Sequence, residues 1–378
     1  MEFHHVLLAV SLLIVVSGLL ILKIKSMRLT EPIIAMLFGL ILGPYLLDFL
    51  DMHNLENPER FMELASMLTI SMALMATAYR IRDDYLRSYG STQSVILLLV
   101  MPLMWLFSGL IAYLILDISL GLAFLIGAII TPTDPVVASS IVSGKLAQKF
   151  LPARIRDTLS FESGANDGLA FPLVLLMLFI LGEADTDNIL VWVMKVVGWD
   201  TLGAMLTGIF LGYIFGKLMH QAHSRQFMNT QSLLSFSIAF GFLVLSLVET
   251  LQANGIIAVF AAGYMLKQEI SGNEELEEEK IQEMMERIFT IPVFFFFGLF
   301  LPIDEWLALG WKIVFFGLFI LLFRRLPAFV LLKPLLTKWN HWYDILLMGW
   351  FGSSWGSGNF LCHAYIEGNA LSAGLGRG

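Results

Sequence analysis

From Phe3 to Leu22 the chain is predominantly apolar, and stretches of the same kind recur along its whole length. At about 1.5 Å of rise per residue, one such stretch crosses a hydrocarbon core of roughly 30 Å as a helix. Further runs occupy residues 33–50, 61–79, 92–115, 119–142, 158–181, 199–219, 231–248, 253–267, 288–301, 307–331 and 343–366. In hydrocarbon every backbone polar group needs a partner within the protein, and runs of this length meet that demand as helices. The expected fold class is therefore an all-α polytopic membrane protein with about twelve transmembrane segments. Composition agrees, since 57% of the 378 residues are hydrophobic and 14% are charged, against about a quarter charged in a soluble domain. The first run begins with Glu2, His4 and His5 and lacks a small-residue cleavage pattern, so it reads as a retained span rather than a secretory signal. Residues 189–198 read either as a short interfacial helix or as the start of the seventh span.

Basic residues test this layout independently, because short cytoplasmic loops collect lysine and arginine. With the N-terminus outside, 19 of the 23 fall on the cytoplasmic side, among them Lys23, Arg80, Arg154, Lys217, Lys267 and Arg325. A net charge of −8, with no basic block interleaved with aromatics, excludes a nucleic-acid partner. The single cysteine, Cys362, forms neither a disulfide framework nor a cysteine-based metal site. His220 and His223 supply too few ligands for zinc, and Ser353 or Ser354 has no geometric pairing with His363 to make a protease. No cofactor is implied, and the chain does not read as an enzyme. The acidic run from Glu274 to Arg287 reads as a cytoplasmic amphipathic helix, with a pH-sensing role as an alternative.

Two of the apolar runs are interrupted. The fifth breaks at Thr131-Pro132-Thr133-Asp134-Pro135. Two prolines three residues apart cannot share an unbroken helix, because each removes a donor and clashes with the preceding turn. Thr133 or Asp134 followed by Pro135 has the form of an N-cap and first helical position, so a second half-helix is expected to start there. Unwound backbone at depth is tolerated where it lines a watery cavity, and it commonly marks the ion site of a secondary transporter. The second interruption is at Gly352, Gly356 and Gly358 in the twelfth run. The spacing of the breaks suggests two inverted repeats: residues 1–182 as the first, 189–220 as a linker helix, and 231–378 as a second repeat that is incomplete at its C-terminal end.

The sixth run carries Glu162-Ser163-Gly164-Ala165-Asn166-Asp167 inside an apolar helix. A charge at a helix centre costs roughly 2.5–3.5 kcal/mol on the insertion scale. Glu162 with Asn166 and Ser163 with Asp167 are i,i+4 pairs, so the polar groups share one stripe that can face the broken helix. Thr131, Thr133, Asp134, Ser163, Asn166 and Asp167 are then candidates for an oxygen-rich site for a hard monovalent cation. Glu162 reads either as a capping or packing residue or as a buried charge. Arg324 and Arg325 either snorkel toward the cytoplasm or send one side chain into the bundle to pair with Glu162.

The segments TPTDPVVASSI (131–141), ESGANDGLAFP (162–172) and RRLP (324–327) resemble those of the monovalent cation:proton antiporter-1 family, with the NhaP-type and fungal plasma-membrane sodium antiporters most similar. The resemblance implies an inverted-repeat antiporter fold of about thirteen helices with discontinuous crossing helices, a dimerising domain and an elevator-type mobile core. It implies a homodimer in the plasma, or inner, membrane that exchanges Na⁺ or Li⁺, with K⁺ also open, for H⁺. Asp167 would bind either cation or proton beside Asn166, with Thr133 and Asp134 in the crossing segments, Ser163 as a ligand, and Glu162 with Arg324 as a structural ion pair. Neutral Asn166 before the carboxylate suits one-for-one, electroneutral exchange. Gly352 to Gly358 departs from the family's glycine and proline pattern, and Asn369 to Gly378 is short where a further helix is usual, which leads to the expectation of a truncated or altered terminus. A sodium-coupled symporter of a small organic anion is the alternative, and it would need a cationic anion site that the sequence does not reveal.

Overall fold

The computed structural model describes residues 3–26, 30–50, 58–142, 147, 149, 151–184, 186–269, 273–339 and 341–351. The described residues are mostly helical, and each expected apolar run overlaps one helix or helices in series, the twelfth as far as residue 351, where the described residues end. The first half comprises α1 (Phe3–Ser26), α2 (Glu31–Leu42), α3 (Pro58–Arg80), α4 (Tyr85–Val95), α5 (Met101–Leu116), α6 (Leu120–Ile130), α7 (Pro135–Val142) and α8 (Ala153–Leu181). A π-helical stretch, Ile96–Val100, joins α4 to α5 without a break. Next come α9 (Ile189–Trp192), a π-helical stretch Val193–Gly203, and α10 (Ala204–Ser224). Residues 189–198 thus begin the long seventh helix rather than a separate interfacial one.

The second half comprises α11 (Thr230–Thr250), α12 (Gly255–Lys267), α13 (Asn273–Leu299), α14 (Ile303–Leu309), α15 (Trp311–Phe323), α16 (Leu326–Leu332) and α17 (Trp342–Phe351). The acidic run from Glu274 is continuous with the tenth apolar run in α13. The eleventh run divides at Arg324 and Arg325, because Pro327 at the start of α16 cannot donate into the preceding turn. Of the second sequence break, Gly352, Gly356 and Gly358 lie outside the described residues.

Five helical stretches are long and apolar enough to cross a membrane by length and composition: residues 60–80, 85–116, 153–181, 189–224 and 311–335. A sixth is gained if Met284–Leu299 and Ile303–Leu309, bent by 59°, count as one broken span. Shorter apolar helices fill the spaces between them. Large apolar side chains cover the outside: Leu19 is 80% exposed, Trp311 77% and Met194 76%. So much exposed apolar area needs hydrocarbon around it, and the protein is integral to a membrane.

Three apolar clusters hold the helices together. One joins α3, α10, α11 and α12 around Met75, Val244, Val248 and Ala258. A second joins α5, α7, α8, α16 and α17 around Met104, Ile155, Phe329 and Met348. A third seats α1 and α2 on α13 through Leu13, Ala35 and Phe295. Helix α8 borders two of them, giving Ala165 to the first and Ile155 and Leu159 to the second. The polar stripe of α8 is therefore held between two separately packed bodies.

Candidate cation site

The fifth run is broken where its prolines require. Helix α6 ends at Ile130, residues 131–134 are not helical, and α7 begins at Pro135. The Ala138 amide donates to the Asp134 carbonyl at 2.9 Å, which makes Asp134 the residue that caps α7, with Pro135 in its first turn. A proline fits there because the first-turn amides have no intrahelical acceptor. Both half-helices pack against α8, so the unwound segment lies alongside the polar stripe.

One hydrogen bond crosses between the break and the stripe: Asn166 Nδ2 donates to Thr133 Oγ1 at 2.7 Å, and both residues are buried. The other amide atom, Asn166 Oδ1, is buried with no hydrogen-bond partner among the described residues. A buried acceptor left unpaired costs about 1–3 kcal/mol, and a cation or water in the notch would satisfy it. Asp167 is partly buried, and among the described residues it receives no hydrogen bond and forms no ion pair. The charged group acting on it is Asp134, which is exposed at the mouth of the break. Two carboxylates thus repel one another where the broken helix meets the polar stripe, and the same stripe carries the unpaired amide oxygen of Asn166.

The remaining expected ligands are placed differently. Thr131 donates through Oγ1 to the Gly127 carbonyl at 2.6 Å, and Ser163 donates through Oγ to the Ser160 carbonyl at 3.1 Å. Each hydroxyl proton is spent on its own helix, while the oxygen keeps lone pairs that can serve a cation. Among the described residues no three His, Cys, Asp or Glu side chains gather as a metal cluster.

The partner of Glu162 differs from the expectation. Arg325, not Arg324, enters the bundle: its Nη1 and Nη2 both reach the Glu162 carboxylate, the second at 2.6 Å, and both residues are fully buried. The Arg325 Nε donates to the Met348 carbonyl at 2.7 Å, and its guanidinium lies 4.8 Å from the centre of the Phe329 ring. Arg324 instead donates to the carbonyl of Ile130, the last residue of α6. The physical reason lies in the interruption between α15 and α16. Adjacent residues at a helix break point in different directions, and the negative end of α6, with its unsatisfied carbonyls, draws the nearer cation. Adjacent arginines carry no sequence signal for which one turns inward.

With this geometry established, comparison with known proteins gives a consistent result. The profile described as "Sodium/hydrogen exchanger, transmembrane" matches residues 10–370, nearly the whole chain. A Na(+)/H(+) antiporter of Saccharomyces cerevisiae is 26% identical over 87% of the chain, and Na(+)/H(+) antiporter 2 of Zygosaccharomyces rouxii is likewise 26% identical over 87%. The chain spans only 34% and 42% of the length of those two relatives. The solved structure of the sodium proton antiporter MjNhaP1 from Methanocaldococcus jannaschii superposes with a TM-score of 0.75, covering 99% of this chain and 91% of that one at 17% identity. That likeness shows a shared fold, and the profile match extends through the break, the polar stripe and the arginine pair. The chain belongs to the transmembrane sodium/hydrogen exchanger family.

Proposed function

We propose that this chain exchanges a monovalent cation for protons across a membrane, through a single carboxylate, Asp167, that holds one or the other. The observation that carries this reading is that, among the described residues, Asp167 has no hydrogen-bond or ion-pair partner, beside a broken helix and the unpaired Oδ1 of Asn166. An empty carboxylate in a low-dielectric wall costs several kcal/mol, so the bare site is held at one face. Loading with a proton or a cation neutralises it and lets the core carrying α6, α7 and α8 move against the scaffold. The two cargoes compete for the same oxygens, which makes the cycle an exchange.

Neutral Asn166 before Asp167 favours one proton for one cation and no net charge moved. Na⁺ is the expected cargo on the names of the fungal relatives, Li⁺ is kept beside it as a hard monovalent cation suited to the same oxygen ligands, and the relative named K(+)/H(+) antiporter NhaP2 in Shewanella keeps K⁺ in the set. Elevator movement, the two inverted repeats at 1–182 and 231–378 with a linker at 189–220, a homodimer, and placement in the plasma membrane with the N-terminus outside complete the proposal. Both arginines beside the break are engaged, Arg325 by Glu162 and Arg324 by the Ile130 carbonyl. Among the described residues, neither arginine beside the break is therefore left to hold the organic anion that the symport reading needs.

The test is proton flux in proteoliposomes, followed by dequenching of a pH-sensitive dye as Na⁺, Li⁺ or K⁺ is added. Asp167→Asn is expected to abolish the cation-dependent signal. Unchanged flux in that variant would refute the role of Asp167.

A further inference from the structure

Helix α8 contains a proline, Pro172, five residues after Asp167. Proline has no amide hydrogen, so the carbonyl four residues earlier, that of Gly168, loses its intrahelical donor. In a membrane such a freed carbonyl has to be satisfied from a neighbouring element. Here Asn254 supplies the donor: its Nδ2 reaches the Gly168 carbonyl at 3.1 Å, and the residue is 6% exposed.

The backbone and side chain of Asn254 are all engaged, its carbonyl accepting from the Ala258 amide at 3.4 Å in the first turn of α12. Its Oδ1 accepts from the amides of Ile256 and Ile257, at 3.1 and 3.3 Å, and so caps α12. Its own amide donates to the Asp200 carbonyl at 3.0 Å, on the π-helical stretch that leads into α10. One residue therefore ties the start of α12 and the linker helix to the residue directly after Asp167, the linker through its backbone amide and the other two through its side chain. The two helices also meet with no room between them. A Cβ added at Gly168 would lie 2.5 Å from Ile257 Cβ, and one at Gly164 would lie 2.3 Å from the Phe260 ring.

From this geometry we infer that Asn254 is a positioning residue for exchange: its amide fixes the register of α8 on α12, and with it the depth of Asp167 between the two bodies. The inference rests on the proposed reading of Asp167 as the cargo site. Pro172 is the other half of the device, because it leaves the Gly168 carbonyl open for a donor from α12. The bond spans the seam along which α8 would move, so it belongs to one register of the two helices and is released in another.

The test separates positioning from simple satisfaction of a carbonyl. Asn254→Ser keeps a capping oxygen for α12 and removes the amide donor. Adding Pro172→Ala to it returns a backbone donor to Gly168 from within α8. The melting temperature of the purified full chain is measured against Na⁺ concentration at fixed pH. In the double variant the melting temperature without Na⁺ is expected to recover, while the Na⁺ needed for half-maximal stabilisation stays raised roughly three- to tenfold, the range of one net hydrogen bond. A double variant that regains the wild-type Na⁺ requirement, or an Asn254→Ser chain that never departs from it, overturns the inference. Proton flux on the same preparations keeps the two proposals apart. A wild-type chain that Na⁺ stabilises but that carries no flux counts against exchange alone, while the Na⁺ requirement of the variants still decides Asn254. A wild-type chain that Na⁺ does not stabilise counts against both.

Discussion

Glu162 and Asp167 lie five positions apart on α8, yet the first is gripped by both arms of Arg325 and the second receives no hydrogen bond or ion pair from any described residue. A guanidinium matches a carboxylate with two parallel N–H bonds, and Arg325 spends its third direction on the Met348 carbonyl. Nothing there is left for a passing ion. Asp167 instead feels the like charge of the exposed Asp134, and the break and stripe carry a buried Asn166 oxygen without a donor among the described residues and the Thr131 and Ser163 hydroxyls, whose protons are committed elsewhere. One helix therefore carries a charge matched by a fixed guanidinium and another that, in the proposed exchange, the cargo would neutralise. The difference teaches that charge inside a membrane protein is recognised as structural or working by the state of its partners and not by its depth.

The largest effects that test this contrast fall on function and on stability separately. Asp167→Asn is expected to remove cation-driven proton flux entirely while the melting temperature of the purified chain stays close to wild type. A large loss of stability would mean that Asp167 also holds the fold. Arg325→Ala is expected to do the reverse damage first, destabilising by about 3–5 kcal/mol because it strands a buried carboxylate. Glu162→Gln combined with Arg325→Gln should be milder than Arg325→Ala, as read by denaturation in detergent, and equal damage would contradict a paired, structural role.

Smaller effects sharpen the boundary between the two regions. Arg324→Ala leaves the end of α6 without its donor and is expected to cost about 1–3 kcal/mol, with Arg324→Lys intermediate; an unchanged melting temperature would argue against the cap. Thr133→Val removes the acceptor of Asn166 and is expected to raise the half-maximal cation concentration severalfold, corresponding to about 0.5–1.5 kcal/mol, with little change in maximal flux. The smallest effect is expected from membrane potential: clamping it with valinomycin and potassium should leave the rate of Na⁺-driven flux nearly unaltered, and a steep dependence would overturn one-for-one exchange.

Much of this fold is legible in the sequence itself, and the reasons are physical. Thr131 to Pro135 declares its break because proline has only one way to act on a helix, and Glu162 to Asp167 declares itself because charge in an apolar run is expensive. The union of the acidic run with the tenth segment in α13 was not legible, since a polar helix and an apolar helix can join without any punctuation in sequence. The choice between Arg324 and Arg325 was also closed to sequence reasoning, because it depends on the angle at which α15 meets α16. Asn254 did leave a trace. An asparagine before Gly255 and an apolar run has the form of an N-cap, and a proline at 172 announces an unpaired carbonyl at 168. Joining the two across 86 positions of sequence needed the packing of α8 on α12.

The central claim is that one carboxylate exchanges a proton for a cation. It is tested most directly by counting protons released into weakly buffered detergent solution when Na⁺ binds the purified chain. The account expects close to one proton per bound Na⁺ in the wild type and none in Asp167→Asn, with the half-maximal Na⁺ concentration rising as pH falls. Binding of Na⁺ without proton release, or release that persists in Asp167→Asn, would contradict it.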